Sequence, residues 1–415
     1  SNHAYFSCLI TTADNQTFIC ELFAIKENNT VYCSLDSFDS AKDNYFYSHV
    51  TAGLWTEAEY QAALREYYQC SGTEERTLQF DDSQKNYAHT TISGKLSWTD
   101  DNNKLHPLRY VKVEIWDNLF STKMMTLYTD SSGNYSYSVY DTQPYRNIFI
   151  RVYPGGDYAT AVTATGNTGG TYTYQSAIEY QVQLGSALNI SWTADMNDDL
   201  GKVFQISQAV ITAAMYAETM EGYSLPSVNI VYPAQASKFT YSPDLNQLNI
   251  CYSPGFGLTS YASWDAIMHE YGHHVMYYFD INATTVLTHK FTDDLLFSNV
   301  TKSLAIHQTW NEAYPTIFAL IAQRYYRTEL NSINTVADTC YTAFNYSSYD
   351  IETAAGVYGD ACEGAVAGVL WDIFDIETEA HDQLRTSHTA FWNMITQSES
   401  NNLSEFVSHF TSTQS

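Results

Sequence analysis

The sequence predicts a multidomain protein with a small disulfide-stapled N-terminal module, an all-β sandwich and an α+β domain. Three observations carry this prediction: cysteines crowd into the first 70 residues, the hydrophobic pattern has a period of two from Thr91, and the period lengthens toward 3.6 after Trp192. We expect the module at 1–85, the sandwich at 88–185 and the α+β domain at 190–415. A chain of 415 residues that is 45% hydrophobic is long enough to bury cores of this kind.

The N-terminal module is predicted from its cysteines. Four of the seven cysteines fall there and none of the seven forms a CxxC pair, which favours a disulfide cluster over a zinc ribbon or a thioredoxin-type redox site. Thr56 and Glu59 form a capping box that predicts a helix over WTEAEYQAALREYYQC. The four clustered cysteines are Cys8, Cys20, Cys33 and Cys70.

The charge balance argues against two classes of binding partner. The chain has 19 Lys and Arg against 46 Asp and Glu, a formal net charge of −27, and its basic residues do not cluster. Nucleic acids and anionic membranes both need clustered Lys and Arg, so we expect neither as a partner. No apolar run reaches the roughly 18 residues that span a bilayer, so we expect no membrane insertion.

Several features predict a secreted, extracellular protein. The cysteine cluster favours an oxidising compartment, and the start SNHAYFSC lacks the features of a signal peptide, which we expect to have been removed. Asn-x-Ser/Thr triplets make a glycoprotein possible. They begin at Asn15, Asn28, Asn134, Asn189, Asn282, Asn299, Asn345 and Asn402.

The middle of the chain alternates apolar and polar residues, as strands with one buried face do. The alternating stretches are TISGKLSW, YVKVEIW, NYSYSV and NIFIRVY, with DSSG as a turn. The segment PLRYVKVEIWD followed by LYTDSSGNYSYSV resembles the transthyretin-like or carboxypeptidase regulatory-like sandwich, although Tyr110 stands where that family usually has Gly. The resemblance implies a scaffold or binding module.

The stretch IMHEYGHHVMYY predicts a metal site on a helix. His269, Glu270 and His273 spell H-E-x-x-H, and residues four apart on a helix point the same way. Both imidazoles can therefore reach one ion while Glu270 faces an adjacent water. We expect Ser263 to cap the helix, and the neighbouring His274 to point to another face. Two strands, SVNIVYP and QLNICYS, and a helix over KVFQISQAVITAAMYAETMEG precede it.

A third metal ligand is expected C-terminal to His273. Met276 and Phe279 stand where the metzincin pattern requires Gly and then His or Asp, which disfavours that class. The stretch TWNEAYPTIFALIAQRYYRTEL predicts a second helix with Asn311 and Glu312 near its start. H-E-x-x-H followed by this Asn-Glu resembles the gluzincin zinc peptidases, the thermolysin-like and aminopeptidase-like class, over about residues 195–375. The resemblance implies Zn²⁺ held by His269, His273 and Glu312, with Glu270 as general base.

The sequence differs from the gluzincin pattern in two respects and offers one alternative third ligand. The gap between His273 and Glu312 is longer than in thermolysin, and Thr316 stands where that enzyme has an Asp that orients a zinc-binding histidine. Glu363, at the start of a predicted helix over DACEGAVAGVLWDIFD, is the alternative third ligand. An oxyanion donor is also needed, and the possible donors by residue type are Tyr358, His307 and His381.

These features predict a secreted zinc-dependent endopeptidase that hydrolyses a protein or peptide substrate. Zinc-activated water is the nucleophile and Glu270 the general base in this prediction. The alternative is an extracellular structural or adhesive protein that keeps a zincin fold without significant proteolysis and self-assembles through the β-sandwich or the N-terminal module.

Overall fold

The computed structural model describes most of the chain from residue 88 onwards and the backbone of three strands before it. The predicted helix after Thr56, Cys70 and most of the N-terminal module lie outside the described residues. The described ranges are 2–11, 17–27, 30–35, 88–100, 103–119, 121–141, 145–162, 170–183, 185–235, 239–251, 263–282, 290–330, 339–342, 348–352, 359–375 and 386–413.

The N-terminal strands form a three-stranded antiparallel sheet. Its strands are β1 (Asn2–Thr11), β2 (Thr17–Glu27) and β3 (Thr30–Leu35), in the order β1-β2-β3. The register sets Cys8 opposite Cys20, whereas Cys33 lies opposite Ala24. The predicted disulfide cluster stays a prediction.

The rest of the chain is a mixed α/β structure, which confirms the coarse prediction of sheets followed by helices. Two five-stranded sheets come first: β4 pairs with β5, β8, β13 and β14, and β9 pairs with β6, β11 and β12, with β7 on the outer side of β6. The bounds are β4 (Ala88–Thr99), β5 (Leu105–Pro107), β6 (Lys112–Asp117), β7 (Thr122–Tyr128), β8 (Asn134–Asp141), β9 (Tyr145–Tyr153), β10 (Ala159–Val162), β11 (Tyr174–Gln175), β12 (Glu179–Gln183), β13 (Ala187–Asn189) and β14 (Trp192–Ala194).

The two sheets share a core on the faces that the alternation predicts. Ile92 and Leu96 from β4 and Val113 and Ile115 from β6 are all fully buried. Tyr110, the residue in place of the family's glycine, has φ of 56°, in the left-handed region that disfavours a side chain. The alternating pattern therefore located these strands, while the specific transthyretin-like fold remains a resemblance.

A four-stranded sheet contains strands from both the β half, residues 88–194, and the helical half, residues 199–413. It runs β10-β15-β17-β16, with β15 (Val228–Ala234), β16 (Thr240–Ser242) and β17 (Gln247–Cys251). β10 comes from the segment predicted as sandwich, yet it pairs in parallel with β15. Conversely, β14 follows the predicted boundary but pairs with β4. The two segments are thus interleaved around residues 159–194 rather than divided at 185.

Helices make up most of the remaining described chain. Two short strands, β18 (Cys340–Thr342) and β19 (Ser348–Asp350), form a separate hairpin-like pair among them. In the described residues, no helix has the length and apolar character needed to cross a membrane. The helices are α1 (Asp199–Glu221), α2 (Trp264–Tyr278), α3 (Lys302–Tyr325), α4 (Arg327–Leu330), α5 (Glu363–Phe374), α6 (His388–Gln397) and α7 (Leu403–Thr413).

Helix α3 begins earlier than the sequence indicates. Thr301 caps it by accepting a hydrogen bond from the backbone N–H of Leu304 at 3.3 Å, so Glu312 lies in mid-helix and not near the start. The predicted helix began at Thr309, whereas the observed helix begins at Lys302 and contains Pro315 in its interior. A longer helix gives Glu312 neighbours a full turn away on both sides.

Helices α2 and α3 approach closely at one glycine. A Cβ atom on Gly272 would lie 2.7 Å from Pro315 Cα and 2.9 Å from Pro315 Cβ, distances that real side chains do not reach. Position 272, just before the second motif histidine, is therefore glycine because the α3 backbone occupies that space. This contact brings the histidine face of α2 against the Glu312 face of α3.

Buried Arg109 ties the β half to the helices. Its guanidinium donates to Glu329 Oε2 at 3.0 Å on α4 and to Thr212 Oγ1 at 2.9 Å on α1, while its backbone N–H donates to Gln208 Oε1 at 3.0 Å. Burial lowers the pKa of Arg109, and Glu329 offsets part of that effect. The helical half is thus anchored to the sheets through polar contacts as well as through the shared core.

Candidate metal centre

Helix α2 carries the predicted ligands on its inner face. Ser263 begins the helix as predicted, its Oγ accepting from the backbone N–H of Ala266 at 3.4 Å. His269 is 6% exposed and Glu270 is 9% exposed, whereas His273 is partly exposed. The histidine one turn further along therefore lies nearer the surface, as expected for a site with one open side.

Three side chains converge where the sequence predicts a metal. His269 Nε2 lies 3.2 Å and His273 Nε2 3.6 Å from Glu312 Oε2, and one donor atom from each of the three residues lies within 4.8 Å of the others. Zinc–ligand bonds of about 2.0–2.2 Å in a tetrahedron put neighbouring ligand atoms roughly 3.3–3.6 Å apart. The two measured separations match that spacing, and two imidazoles with one carboxylate are a zinc donor set.

The Glu312 carboxylate is divided between two tasks. Gln308, one turn earlier on α3 and 1% exposed, donates from Nε2 to Glu312 Oε1 at 2.7 Å. Oε2 is the oxygen that faces both histidines. The arrangement holds the carboxylate in one orientation and directs a single oxygen to the centre.

The other side of the His269 ring is held by two hydroxyls. Its Nδ1 lies 3.0 Å from Thr316 Oγ1 and 3.2 Å from the hydroxyl of Tyr341 on β18. Thr316 in turn donates to Glu363 Oε1 at 2.9 Å. Burial raises the pKa of Tyr341 well above its usual value, which keeps its hydroxyl protonated.

A buried carboxylate on α2 fixes the strand that carries Tyr341. Asp265 Oδ2 accepts from the backbone N–H of Thr342 at 2.7 Å, and Asp265 Oδ1 accepts from Gln323 Nε2 at 2.7 Å on α3. These bonds connect α2, α3 and β18 immediately beside the histidines. Tyr341 is therefore held by its own backbone neighbour as well as by packing.

The field around the histidines is negative. Burial lowers the pKa of His273, but the hydrogen bond and charge of Glu312, with smaller contributions from Glu270 and Glu363, raise it above the usual value. Burial raises the pKa of Glu312, but the two histidines outweigh this and hold it well below the usual value. Both shifts mean that the site stabilises a cation, whether a proton or a metal ion.

The remaining predicted residues divide into three groups. Glu363 contacts Thr316 and is not one of the three converging side chains in the described part of the chain. His307 precedes Glu312 by five residues on α3, so it lies about 140° round the helix from it. Tyr358 and His381 lie outside the described residues, and the identity of an oxyanion donor stays a prediction.

His274 lies away from the converging side chains, as expected. Its Nδ1 is 3.1 Å from the hydroxyl of Tyr241, and its ring packs edge-on against Tyr271 and Tyr241. Burial lowers the pKa of His274 to about 4, so this histidine is neutral at physiological pH. It is a packing residue on a different side of α2 from His269 and His273.

Sequence reasoning missed Gln308 and Tyr341. Gln308 carried a usable signal, since it precedes Glu312 by four residues and such pairs face each other on a helix. Tyr341 carried none: it is distant in sequence from α2 and lies in a three-residue strand. A role of this kind depends on a tertiary contact that no spacing rule describes.

Comparisons with known proteins leave the family open. No family model and no curated protein matches the chain. Among solved structures, a 9R-lipoxygenase from Cyanothece matches 32% of this chain and 25% of its own length, with 17% identity and a TM-score of 0.18. A putative carbohydrate binding protein from Pseudomonas aeruginosa matches 27% of this chain and 92% of its own length, with 14% identity and a TM-score of 0.17. Likenesses this low bear on neither the fold nor the site.

Proposed function

We propose that the chain is a zinc-dependent peptidase of the gluzincin type. The observation that carries the proposal is the convergence of His269, His273 and Glu312 on one point beside an H-E-x-x-H glutamate. The separations fit zinc, and the acidic surroundings favour a divalent cation over a neutral occupant. The predicted secretion and the protein or peptide substrate belong to the same proposal.

The residues divide the chemistry among them. Bound zinc would polarise the scissile carbonyl and lower the pKa of a water toward 7. Glu270 would accept the proton of the attacking water and return it to the departing amine. Gln308 would keep Glu312 turned with one oxygen toward the ion, and the partly exposed side of His273 would face the substrate.

The first test is metal content and peptide cleavage by the full chain. About one zinc per chain is expected in the wild type and in Glu270→Gln, with little in Glu312→Gln, because a ligand is lost only in the last variant. Unstructured fluorogenic peptides should be cleaved by the wild type and by the control variant His89→Ala, but not by Glu270→Gln or Glu312→Gln. His89→Ala is the matched control for histidine content, since His89 is exposed on β4.

The outcomes separate the alternatives. A wild type that binds no zinc after incubation with the metal would contradict the metal centre. If the wild type binds zinc but cleaves no peptide, the result would favour the alternative, a structural or adhesive protein with a metal-binding scaffold. Cleavage that persists in Glu270→Gln would reject Glu270 as the general base.

A further inference from the structure

A buried hydrogen-bonded chain extends from the metal-facing histidine to a glutamate on another helix. His269, Thr316, Tyr341 and Glu363 are each less than 7% exposed. His269 Nδ1 lies 3.0 Å from Thr316 Oγ1, and Thr316 Oγ1 lies 2.9 Å from Glu363 Oε1. Thr316 follows Glu312 by one helical turn, so α3 presents both residues to His269, one to each ring nitrogen.

Counting hydrogens limits the role of Thr316 in this chain. A threonine hydroxyl has one hydrogen, and Thr316 donates it to Glu363. Toward His269 the Thr316 oxygen can then act only as an acceptor, so a hydrogen bond between them requires the tautomer of His269 with its hydrogen on Nδ1. In a neutral imidazole this leaves a lone pair on Nε2, which lies 3.2 Å from Glu312 Oε2.

In this tautomer the Nε2 lone pair of His269 and Glu312 Oε2 face the same point, and a cation at that point removes their repulsion. The Nε2 lone pair is then available to an arriving ion. Glu363 suits the role because it is the first residue of α5, where the helix dipole favours a negative charge.

We propose that Thr316 and Glu363 are positioning residues, which fix the tautomer and ring orientation of His269 for metal binding. The proposal rests on the proposed zinc centre and extends it, because it gives the rival ligand Glu363 a role through Thr316. In this arrangement Thr316 and Glu363 together take the place of the Asp that orients a zinc-binding histidine in thermolysin.

The test is zinc affinity of the metal-free full chain, measured by competition with a chromogenic chelator. Thr316→Val keeps the shape and removes the hydroxyl, and its zinc affinity should fall about 10- to 100-fold. Thr316→Ser restores the hydroxyl and should return most of that loss. Thr309→Val is the matched control: Thr309 is fully buried on the same helix, and within the described residues its hydroxyl has no hydrogen-bond partner.

A second variant distinguishes an effect of the hydrogen-bonded chain from a purely electrostatic effect of Glu363. Glu363→Gln should weaken zinc binding, and the same substitution in the Thr316→Val background should cost much less, because the connection is already broken. Equal losses in both backgrounds would mean that Glu363 acts only through its charge and would overturn the proposal.

Folding is checked separately for each variant by circular dichroism and thermal unfolding. If Thr316→Val does not fold, Thr316→Ala, which also lacks the hydroxyl, takes its place in both tests, and unchanged affinity of Glu363→Gln overturns the proposal by itself. A folded Thr316→Val with wild-type affinity also overturns it, while the zinc centre itself still stands. A wild type without zinc would instead reject the proposed function.

Discussion

Two buried polar clusters, one in each half of the molecule, differ in how their charge is balanced. In the β half, Asp117 is fully buried and accepts from Arg146 at 2.9 Å, with its other oxygen taking the backbone N–H of Leu119 at 2.9 Å. In the helical half, Glu312 faces His269 and His273, and the charged groups that act on His273 are carboxylates.

The difference distinguishes a complete ion pair from the proposed metal centre. The Asp117–Arg146 pair is complete, since each charge has its opposite within hydrogen-bonding distance. The histidine cluster has more negative charge than the neutral imidazoles can balance, so a bound proton or metal ion would stabilise it. Burial is common to both clusters, and the charge balance is what differs between them.

The largest expected effect comes from breaking the complete cluster. Asp117→Ala leaves the Arg146 guanidinium buried without its partner and should reduce the free energy of unfolding by about 3–5 kcal/mol. Urea unfolding measures the loss, which should be the same with and without zinc because the pair is remote from the centre. Asp360→Ala is the control: its pair with Lys302 spans 3.9 Å at the surface, and removing it should cost less than about 1 kcal/mol. An equal loss in the two variants would contradict the comparison.

An intermediate effect is expected where α2 meets α3. Gly272→Ala sets a methyl group against Pro315 and should cost about 1–3 kcal/mol by overpacking, and it should also weaken zinc binding by moving the histidines relative to Glu312. Thermal unfolding and chelator competition measure the two effects. Gly368→Ala on α5 is the matched control, since the added methyl group meets its nearest atom at 3.9 Å. A stable Gly272→Ala with unchanged affinity would show that the helix contact does not set the site.

The smallest effect concerns His388, a partly buried histidine that is neutral at physiological pH. Burial lowers the pKa of His388 to about 4, whereas an unfolded histidine titrates near 6.5. The unfolded state therefore binds the proton first, and stability falls as the pH drops from about 6.5 to about 4. At pH 5.5 the contribution is at most about 1.4 kcal/mol.

His388→Phe removes this titration and should flatten the pH dependence of stability over that window. Phenylalanine suits the position because the His388 ring packs edge-on against Phe374, Tyr216 and Tyr325. Urea unfolding of both proteins at pH 7 and pH 5.5 measures the difference. Parallel losses in the two proteins would show that His388 does not titrate as described.

Local patterns predicted the elements better than their partners. Alternation in TISGKLSW and KVEIW identified strands with the correct buried face, and the cap residue Ser263 was found at the start of its helix. The predicted start of α3 was seven residues too late, at Thr309 and not at Lys302, because the residues before Thr309 are mostly exposed or half-buried and carry a weak apolar pattern. The parallel pairing of β10 with β15 also escaped prediction, because pairing between distant strands leaves no local mark.

By itself, the sequence determined that α2 is a helix with two histidines on one face, because residue spacing sets the direction of side chains in a helix. It also determined that Glu312 lies on a second helix further along the chain. The tertiary structure decided which atoms meet. Gly272 lets α3 approach until Glu312 lies beside both histidines, and Thr316 Oγ1 lies 3.0 Å from His269 Nδ1 and 2.9 Å from Glu363 Oε1. Such contacts depend on the packing of helices distant in sequence, which spacing within any one helix does not encode.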